Sequence, residues 1–222
     1  MKINNRLKVI GDLVSENSTC LDIGCDHAFL DIYLVKRNVG IKPIASDVKE
    51  GPLEQAKGNI KRENLEGKIE VRLGNGLDTY TDDIDTVIIS GMGGRNMIGI
   101  FKSNTKKLKK IETLILSPNN YQEDVKTYLC KTGFYIDDEL LVKDSKFIYQ
   151  VLVFKKGTKK YTKRQMFFGP ILLIKKGELF KEYYERELKS REIMLEFLPK
   201  RYRLKRYKIQ KEIKSIKKEI EE

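Results

Sequence analysis

The amino-acid sequence predicts an α/β protein with a mostly parallel sheet, followed by a basic helical segment. Two observations predict this fold. Short apolar runs alternate with helix-like segments over the first two thirds of the chain, and the excess positive charge is confined to the last third. The 222 residues, of which 40% are hydrophobic, suffice for one domain with a sizeable core and an appendage.

Five apolar runs each end in Gly, Asp, Ser or Pro-Asn, as is typical of buried parallel strands. These runs are TCLDIG, PIASD, IEVRLG, DTVIISG and TLILSPN. Strict alternation of strand and helix predicts right-handed crossovers and a sheet covered on both faces. The predicted helices lie near 3–16 and then at about 29–37, 51–64, 94–110 and 121–132.

The pattern changes after the fifth run. The segment ELLVKDSKFIYQVLVFKKG predicts an antiparallel hairpin at the sheet edge, which makes seven strands, and KKGTKKYTKRQMFFGP is predicted to be a linker. A helical pattern then runs from Ile171 to Leu198, is broken by Pro199 and resumes, which predicts an antiparallel helical hairpin. Packing within that hairpin and a coiled-coil dimer both explain the apolar seam. The seam consists of Ile209, Ile213, Ile216 and Ile220.

The charge distribution supports a division into two domains, residues 1–155 and 156–222. Residues 1–154 carry 22 Lys and Arg against 22 Asp and Glu, whereas residues 155–222 carry 22 against 10, which is the whole net charge of +12. Such a surface attracts phosphates, and nucleic acid is the commonest large polyanion in a cell. Solvated helix faces without a partner are the alternative.

Several classes of protein are excluded by composition. No apolar run is long enough to cross a bilayer, and the start MKINNRLKVIGDL does not resemble a signal peptide. Cys20, Cys25 and Cys130 form no C-x-x-C pair, and His27 is the only histidine. We therefore expect a cytoplasmic protein with reduced thiols that binds neither metal nor membrane.

A ligand of an open parallel sheet binds at the carboxyl ends of the strands. The first strand ends in Asp22, Gly24, Cys25 and Asp26, where Gly24 permits close approach of the backbone to a ligand. The acidic residues of this turn disfavour a pyrophosphate cofactor such as NAD, because carboxylates repel phosphates. They tolerate the cationic sulfonium of S-adenosylmethionine, which we predict as the cofactor.

The ends of the next three strands supply further candidate cofactor ligands. Asp47 is positioned to accept hydrogen bonds from ribose hydroxyls, and Asn75 can bond an adenine edge. A helix cap for Asp47 and simple tight turns for the glycines are the alternatives. The small or apolar neighbours predicted to line the same pocket are Val48, Gly74, Gly76, Gly91, Met92 and Gly93.

The blocks DIGCDHAFLDIYLV, SDVKEGPLEQA, VRLGNGL, DTVIISGMGG and LILSPN, in this order, resemble the bacterial tRNA (adenine(22)-N1)-methyltransferase family TrmK. The resemblance covers about residues 1–154, and the tail resembles the C-terminal coiled-coil domain of the family. It implies a class I, Rossmann-like S-adenosylmethionine-dependent methyltransferase fold, tRNA as partner, and methylation of N1 of adenosine 22 in the D-arm. The chain departs from the family pattern at Cys25, Asp31, Asp47 and Asn75.

Attack by the N1 lone pair of adenine releases no proton first, so the reaction needs a stabilising carboxylate more than a strong base. Asp26 is the candidate, as the resemblance also implies, and an N-cap of the helix that starts near His27 is the alternative. His27 is a second catalytic candidate, for which a buried structural histidine is the alternative.

Substrate contacts are predicted in both parts of the chain. Pro118, Asn119 and Tyr121 are expected to hold the target base, although Tyr121 also suits a core position. We expect a monomer; another RNA position, or RNA binding without catalysis, is the alternative function. The densest basic cluster of the tail, predicted to contact tRNA phosphates, is Arg201, Arg203, Lys205, Arg206 and Lys208.

Overall fold

The computed structural model of the chain describes residues 3–37 and 40–221. The chain divides into two compact units, Met1–Ile171 and Leu172–Glu222. The division lies after the boundary at residue 155 that the sequence predicts, because the intervening segment packs on the first unit. Tyr161, for example, accepts a hydrogen bond at its hydroxyl from the backbone N–H of Ile136 (2.9 Å).

One sheet forms the centre of the first unit. Its strands are β1 (Thr19–Ile23), β2 (Lys42–Asp47), β3 (Glu70–Leu73), β4 (Thr86–Ser90), β5 (Thr113–Ser117), β6 (Phe134–Asp144) and β7 (Phe147–Lys156). Within the described residues the sheet has seven strands in the order β3-β2-β1-β4-β5-β7-β6. The first five are parallel, and β7 pairs antiparallel with β5 and β6. The predicted fold class is therefore confirmed.

The central strands are apolar on both faces because helices cover both sides of the sheet. Leu21, Val87 and Leu114 belong to a core cluster on one face, whereas Ile88 and Ile115 belong to a second cluster on the other. The strand order reverses between β1 and β4, so the carboxyl ends of these two neighbours flank the crevice in which such sheets bind ligands.

The helices of the first unit are α1 (Asn5–Asp12), α2 (Phe29–Lys36), α3 (Glu50–Arg62), α4 (Gly94–Ser103), α5 (Thr105–Leu108), α6 (Gln122–Lys131) and α7 (Lys163–Phe168). The helix predicted over 94–110 is interrupted at Asn104, whose backbone is not helical (φ −131°, ψ 49°) and whose amide donates to Asp78. The predicted linker contains α7, because Thr162 and Gln165 form a capping box.

The second unit contains α8 (Leu172–Lys175), α9 (Glu178–Phe197) and α10 (Arg203–Glu221). The helix predicted from Ile171 is interrupted at Gly177, and α9 ends before Pro199 as predicted. Ile209 and Ile216 of α10 are buried. Ion pairs between α9 and α10 join Arg191 to Glu212 and Glu192 to Lys217, both at 2.9 Å. The antiparallel helical hairpin is confirmed.

The described residues contain neither a helix suited to crossing a membrane nor a side-chain cluster suited to holding a metal. No helix in residues 3–37 or 40–221 combines the length and the apolar character that crossing a membrane requires. Over the same described ranges, no group of three or more His, Cys, Asp or Glu side chains is placed to hold a metal ion.

Candidate active site

The turn after β1 exposes Asp26 at the carboxyl edge of the sheet. Gly24 has a left-handed backbone (φ +77°), and the N–H groups of Gly24 and Cys25 donate to the carbonyl of Ser46 at the end of β2 (2.8 and 3.0 Å). Helix α2 is preceded by Ala28 as its N-cap residue, without a side-chain cap. The N-cap alternative for Asp26 is therefore wrong, and its carboxylate side chain is 71% exposed.

His27 lies beside Asp26 at the surface. Its ring stacks on Phe29 with 5.3 Å between ring centroids, and its Nε2 lies 3.5 Å from Oδ2 of Asp26. The side chain is 37% exposed, so the alternative of a buried structural histidine is wrong. The carbonyl of His27 accepts a hydrogen bond from the Asn59 amide (2.8 Å), which fixes the backbone of the turn to α3.

Carboxylates surround the β1 turn. The thiol of Cys25 has a raised pKa because of its burial and the nearby charges of Asp31, Asp22, Asp47 and Asp26. Burial, with the charges of Asp31 and Asp47, raises the pKa of Asp22 well above its usual range. Burial raises the pKa of Asp31, which is fully buried, to about 7. The charges that raise the pKa of the Cys25 thiol are thus those of four carboxylates, and such an environment favours a cationic ligand.

The end of β2 combines a carboxylate with apolar surface. Oδ1 of Asp47 accepts a hydrogen bond from the N–H of Lys49 (2.9 Å), so the carboxylate supports the turn into α3. Val48, next to it, is 59% exposed, and Leu73 at the end of β3 is 55% exposed. A ribose and a purine ring need this combination of a hydrogen-bond acceptor and exposed apolar side chains.

The segment after β3 places Asn75 at the surface and Gly76 in the interior. The N–H of Gly74 donates to the carbonyl of Asp47 (3.0 Å), which ties the ends of β2 and β3 together. Asn75 is exposed and precedes a short 3-10 turn. Gly76 (φ +55°) is buried, and a Cβ atom there would lie 2.7 Å from Ile100. Gly76 therefore serves close packing, whereas Asn75 is accessible to a ligand.

The loops after β4 and β5 are joined into one wall, which we call the β4–β5 wall (residues 90–94 and 117–121). The N–H of Gly91 donates to Ser117, and the N–H of Asn119 donates to Met92 (3.1 and 2.9 Å). The Asn119 amide also donates to the carbonyl of Gly91 (2.5 Å). A Cβ atom on Gly24 would lie 3.8 Å from Cε of Met92, so this wall reaches the β1 turn.

Gly93 follows Met92 in the chain, and Asn75 lies near Met92. Gly93 is the N-cap residue of α4, and a Cβ atom there would lie 3.4 Å from Asn120. Asn75 and Met92 line a shared cavity of about 410 Å³ with Arg95. The structure therefore brings together the predicted residues from the ends of β1, β3, β4 and β5.

Two cation–aromatic pairs were not predicted from the sequence. Tyr121 is 43% exposed, so the core alternative is wrong, and the Arg95 guanidinium lies 4.1 Å from its ring centroid. Arg6 of α1 lies 4.3 Å from the ring centroid of Tyr149 on β7. The partners in the second pair are far apart in sequence, and no local pattern marks them.

The basic cluster near the α9–α10 turn is mostly exposed, with one exception. Arg206 is half-buried and donates to the carbonyls of Leu195 (2.7 Å) and Leu198, so it caps the end of α9. Apolar side chains are also exposed around this turn, including Phe197 and Tyr202. The exposed cations of the predicted cluster are Arg201, Arg203, Lys205 and Lys208.

Half of the excess charge belongs to the first unit. Residues 155–171 carry six Lys and Arg and no Asp or Glu, whereas residues 172–222 carry 16 Lys and Arg against 10 Asp and Glu. The positive charge that the sequence analysis assigns to the tail is therefore not confined to the helical hairpin.

The parallel sheet, the acidic turn after β1 and the carboxylate at the end of β2 define a class I methyltransferase. The sequence matches the family TrmK, tRNA (adenine(22)-N(1))-methyltransferase, over residues 20–221. The chain belongs to this family, as its sequence motifs predict, and the match extends into both units.

Known proteins of this family are similar over nearly their whole length. The tRNA (adenine(22)-N(1))-methyltransferase of Bacillus subtilis is 29% identical over 203 residues, which are 88% of this chain and 85% of that protein. Streptococcus pneumoniae Sp1610, solved in complex with S-adenosyl-L-methionine, has a TM-score of 0.89 at 34% identity, with 99% of this chain and 100% of that chain covered. TrmK of M. capricolum, solved with S-adenosyl-homocysteine, has a TM-score of 0.85 at 27% identity, with coverage of 100% and 99%.

Proposed function

We propose that this chain transfers a methyl group from S-adenosyl-L-methionine to N1 of adenosine 22 in tRNA. The observation that carries the proposal is the accessible Asp26 carboxylate at an acidic crevice, in a chain that matches the TrmK family over residues 20–221. The cofactor assignment is supported by Sp1610, solved with S-adenosyl-L-methionine, and by TrmK of M. capricolum, solved with S-adenosyl-homocysteine.

The residues at the crevice fit this cofactor. Gly24, without a Cβ atom, leaves space below the side chain of Met92 for a ligand to approach the backbone. Asp47 suits the ribose hydroxyls, and the exposed side chain of Val48 suits an adenine face. The carboxylates around Cys25 attract a ligand that carries ammonium and sulfonium charges, and they repel a pyrophosphate.

When bound, the cofactor supplies a methyl group on a positively charged sulfur. The lone pair of adenine N1 attacks the methyl carbon in line and displaces the sulfur as a neutral thioether. The chain must align N1 with the methyl carbon and exclude water. Positive charge then develops on the adenine ring. We place the Asp26 carboxylate beside the exocyclic amine, where it accepts a hydrogen bond and stabilises that charge. His27, next to Asp26, is positioned to orient this carboxylate.

The target base must leave its stack in the folded tRNA to reach this edge of the sheet. We propose that the β4–β5 wall holds it, with Pro118 and Asn119 at its edge and Tyr121 at its face. The contact of Arg95 with the Tyr121 ring fixes the ring at the surface, where it is available for stacking on adenine.

The helical hairpin is proposed to bind the tRNA backbone. Phosphate contacts position a nucleic acid, and the pocket selects the base. Exposed aromatic side chains between the cations, such as Tyr202 and Tyr207, add stacking surface. Ile209 and Ile216 are already buried within the described fold, which supports a monomer. The cations proposed to contact the D-arm region are Arg201, Arg203, Lys205 and Lys208.

The test is transfer of a labelled methyl group to two tRNA transcripts that differ only at position 22. The transcript with adenosine 22 should be labelled to about one methyl group per molecule, whereas a guanosine 22 transcript should remain unlabelled. Equal labelling of both transcripts would place the reaction at another nucleotide. Absence of labelling by a protein that binds the cofactor would contradict the proposed activity.

A further inference from the structure

Arg6 reaches the edge of the sheet where the predicted substrate-binding residues lie. Its guanidinium packs on the ring of Tyr149, with 4.3 Å between Cζ and the ring centroid. A Cβ atom on Gly91 would lie 3.4 Å from one terminal guanidinium nitrogen and 3.9 Å from the other. The guanidinium therefore lies against the β4–β5 wall, at a glycine whose missing side chain leaves space.

The guanidinium of Arg6 has no hydrogen-bond or ion-pair partner within the described part of the chain, and its Nε is buried. Arg72 of the same unit differs, since it binds Glu70 at 2.7 Å. A guanidinium that packs on an aromatic ring keeps N–H donors at its rim, and two of these match two oxygens of a phosphate. Arg6 is thus a positively charged hydrogen-bond donor that is fixed in place by Tyr149 and has no anionic partner among the described residues.

Helix α1 is anchored, so the position of Arg6 is defined. Asn4 caps the helix by accepting a hydrogen bond from the N–H of Leu7 (2.9 Å). The amide of Asn5 donates to the carbonyl of Lys143 on β6 (2.9 Å). These two contacts flank Arg6 and fix the first turn of the helix to the sheet.

An aromatic cleft lies next to Arg6. It has a volume of about 320 Å³ and is lined by Pro118 and Asn119 of the β4–β5 wall and by Phe147 and Tyr149 of β7. The rings of Phe147 and Tyr149 have centroids 6.2 Å apart, and Phe147 is largely exposed. Aromatic faces beside one guanidinium suit a nucleotide, whose base stacks while its phosphate meets the cation.

We propose that Arg6, held on Tyr149, binds a phosphodiester that flanks the target adenosine. This inference rests on the proposed function. It makes Arg6 a substrate-binding residue that fixes the backbone of the extruded nucleotide, so that the base reaches the β4–β5 wall. The ligand group is a phosphate because the anion nearest to any base in RNA is its own phosphodiester.

The test compares wild type with Arg6→Ala and with Lys8→Ala, which removes an exposed charge from the same helix. Each protein methylates native tRNA and ligated tRNA that carries a neutral methylphosphonate on either side of adenosine 22. Arg6→Ala should raise KM for native tRNA about tenfold and lessen the salt dependence of binding by about one phosphate contact, with unchanged cofactor affinity. One of the two modified tRNAs should be methylated less well than native tRNA by wild type and by Lys8→Ala, by a similar factor. Arg6→Ala should methylate that tRNA as well as it methylates native tRNA.

Two outcomes would overturn the proposal. One is that Arg6→Ala binds tRNA as wild type does; the other is that a methylphosphonate impairs Arg6→Ala as much as wild type. If Arg6→Ala does not fold, the wild-type protein alone tests the proposal. Wild-type methylation that is unchanged by a methylphosphonate on either side of adenosine 22 would exclude the phosphate contact. Methylation of adenosine 22 by wild type reports separately on the proposed function, so the two failures are distinguishable.

Discussion

Asp31 should make the protein less stable as pH rises, and Asp31→Asn should remove this effect. The carboxyl group is fully buried, and its pKa is raised from 3.8 to about 7. The folded state holds the Asp31 proton more tightly than the unfolded state does. The contribution of this group to the free energy of unfolding is therefore highest below pH 4 and falls as pH rises to 7, because the unfolded state loses this proton more readily over that range. Three pKa units correspond to at most about 4 kcal/mol.

The assay is urea unfolding of wild type and Asp31→Asn between pH 4 and pH 8. Asparagine has the same shape and no charge, so the two proteins should be similar at pH 4. At pH 8 the variant should be more stable by up to about 4 kcal/mol. Glu66→Gln, at an exposed turn, serves as control and should show no such trend. A constant difference between wild type and Asp31→Asn at all pH values would refute the reasoning.

Three further predictions concern packing and charge. Gly94→Ala should destabilise the protein by about 1–3 kcal/mol, because the new Cβ would lie 2.5 Å from the carbonyl oxygen of Asn120. Gly99→Ala, which has open space around the new Cβ, should not destabilise it. Thermal unfolding of the two variants tests this. Glu139→Ala should cost about 3–5 kcal/mol in urea unfolding, since it leaves buried Lys126 without this partner. Alanine at the exposed tail cations should weaken tRNA binding and reduce its salt slope by about 2–3, without changing cofactor affinity; equal tRNA binding would refute this role. The cations to replace are Arg201, Arg203 and Lys205.

The sheet could be predicted because its strands are short apolar runs whose polar ends coincide with the ligand edge. The break at Asn104 could not, because it depends on a hydrogen bond to Asp78, distant in sequence. One feature of the sequence could have predicted the burial of Asp31. It lies in FLDIYLV, a helix that is apolar on nearly every side, so an acid there has little access to solvent.

Residues whose roles arise from tertiary contacts were missed. Arg6 and Tyr149 meet only when α1 packs against the far end of the sheet, and each residue alone looks like an ordinary surface residue. For Arg206 the sequence predicts a binding role that the structure does not support. Its composition-based assignment is to a phosphate-binding cluster, whereas its guanidinium donates hydrogen bonds to the carbonyl groups that end α9. Charge counting records how many cations a segment has, but it does not record which are already paired.

The most direct test of the account is the position and rate of methylation by wild type and by Asp26→Asn, with Glu66→Gln as control. Mass spectrometry of tRNA digests should locate one N1-methyladenosine at position 22. Asp26→Asn should lower kcat about 100-fold, with cofactor affinity unchanged, since the lost charge acts on the reacting adenine. Methylation at another nucleotide, or an Asp26→Asn variant with the kcat of wild type, would contradict the account.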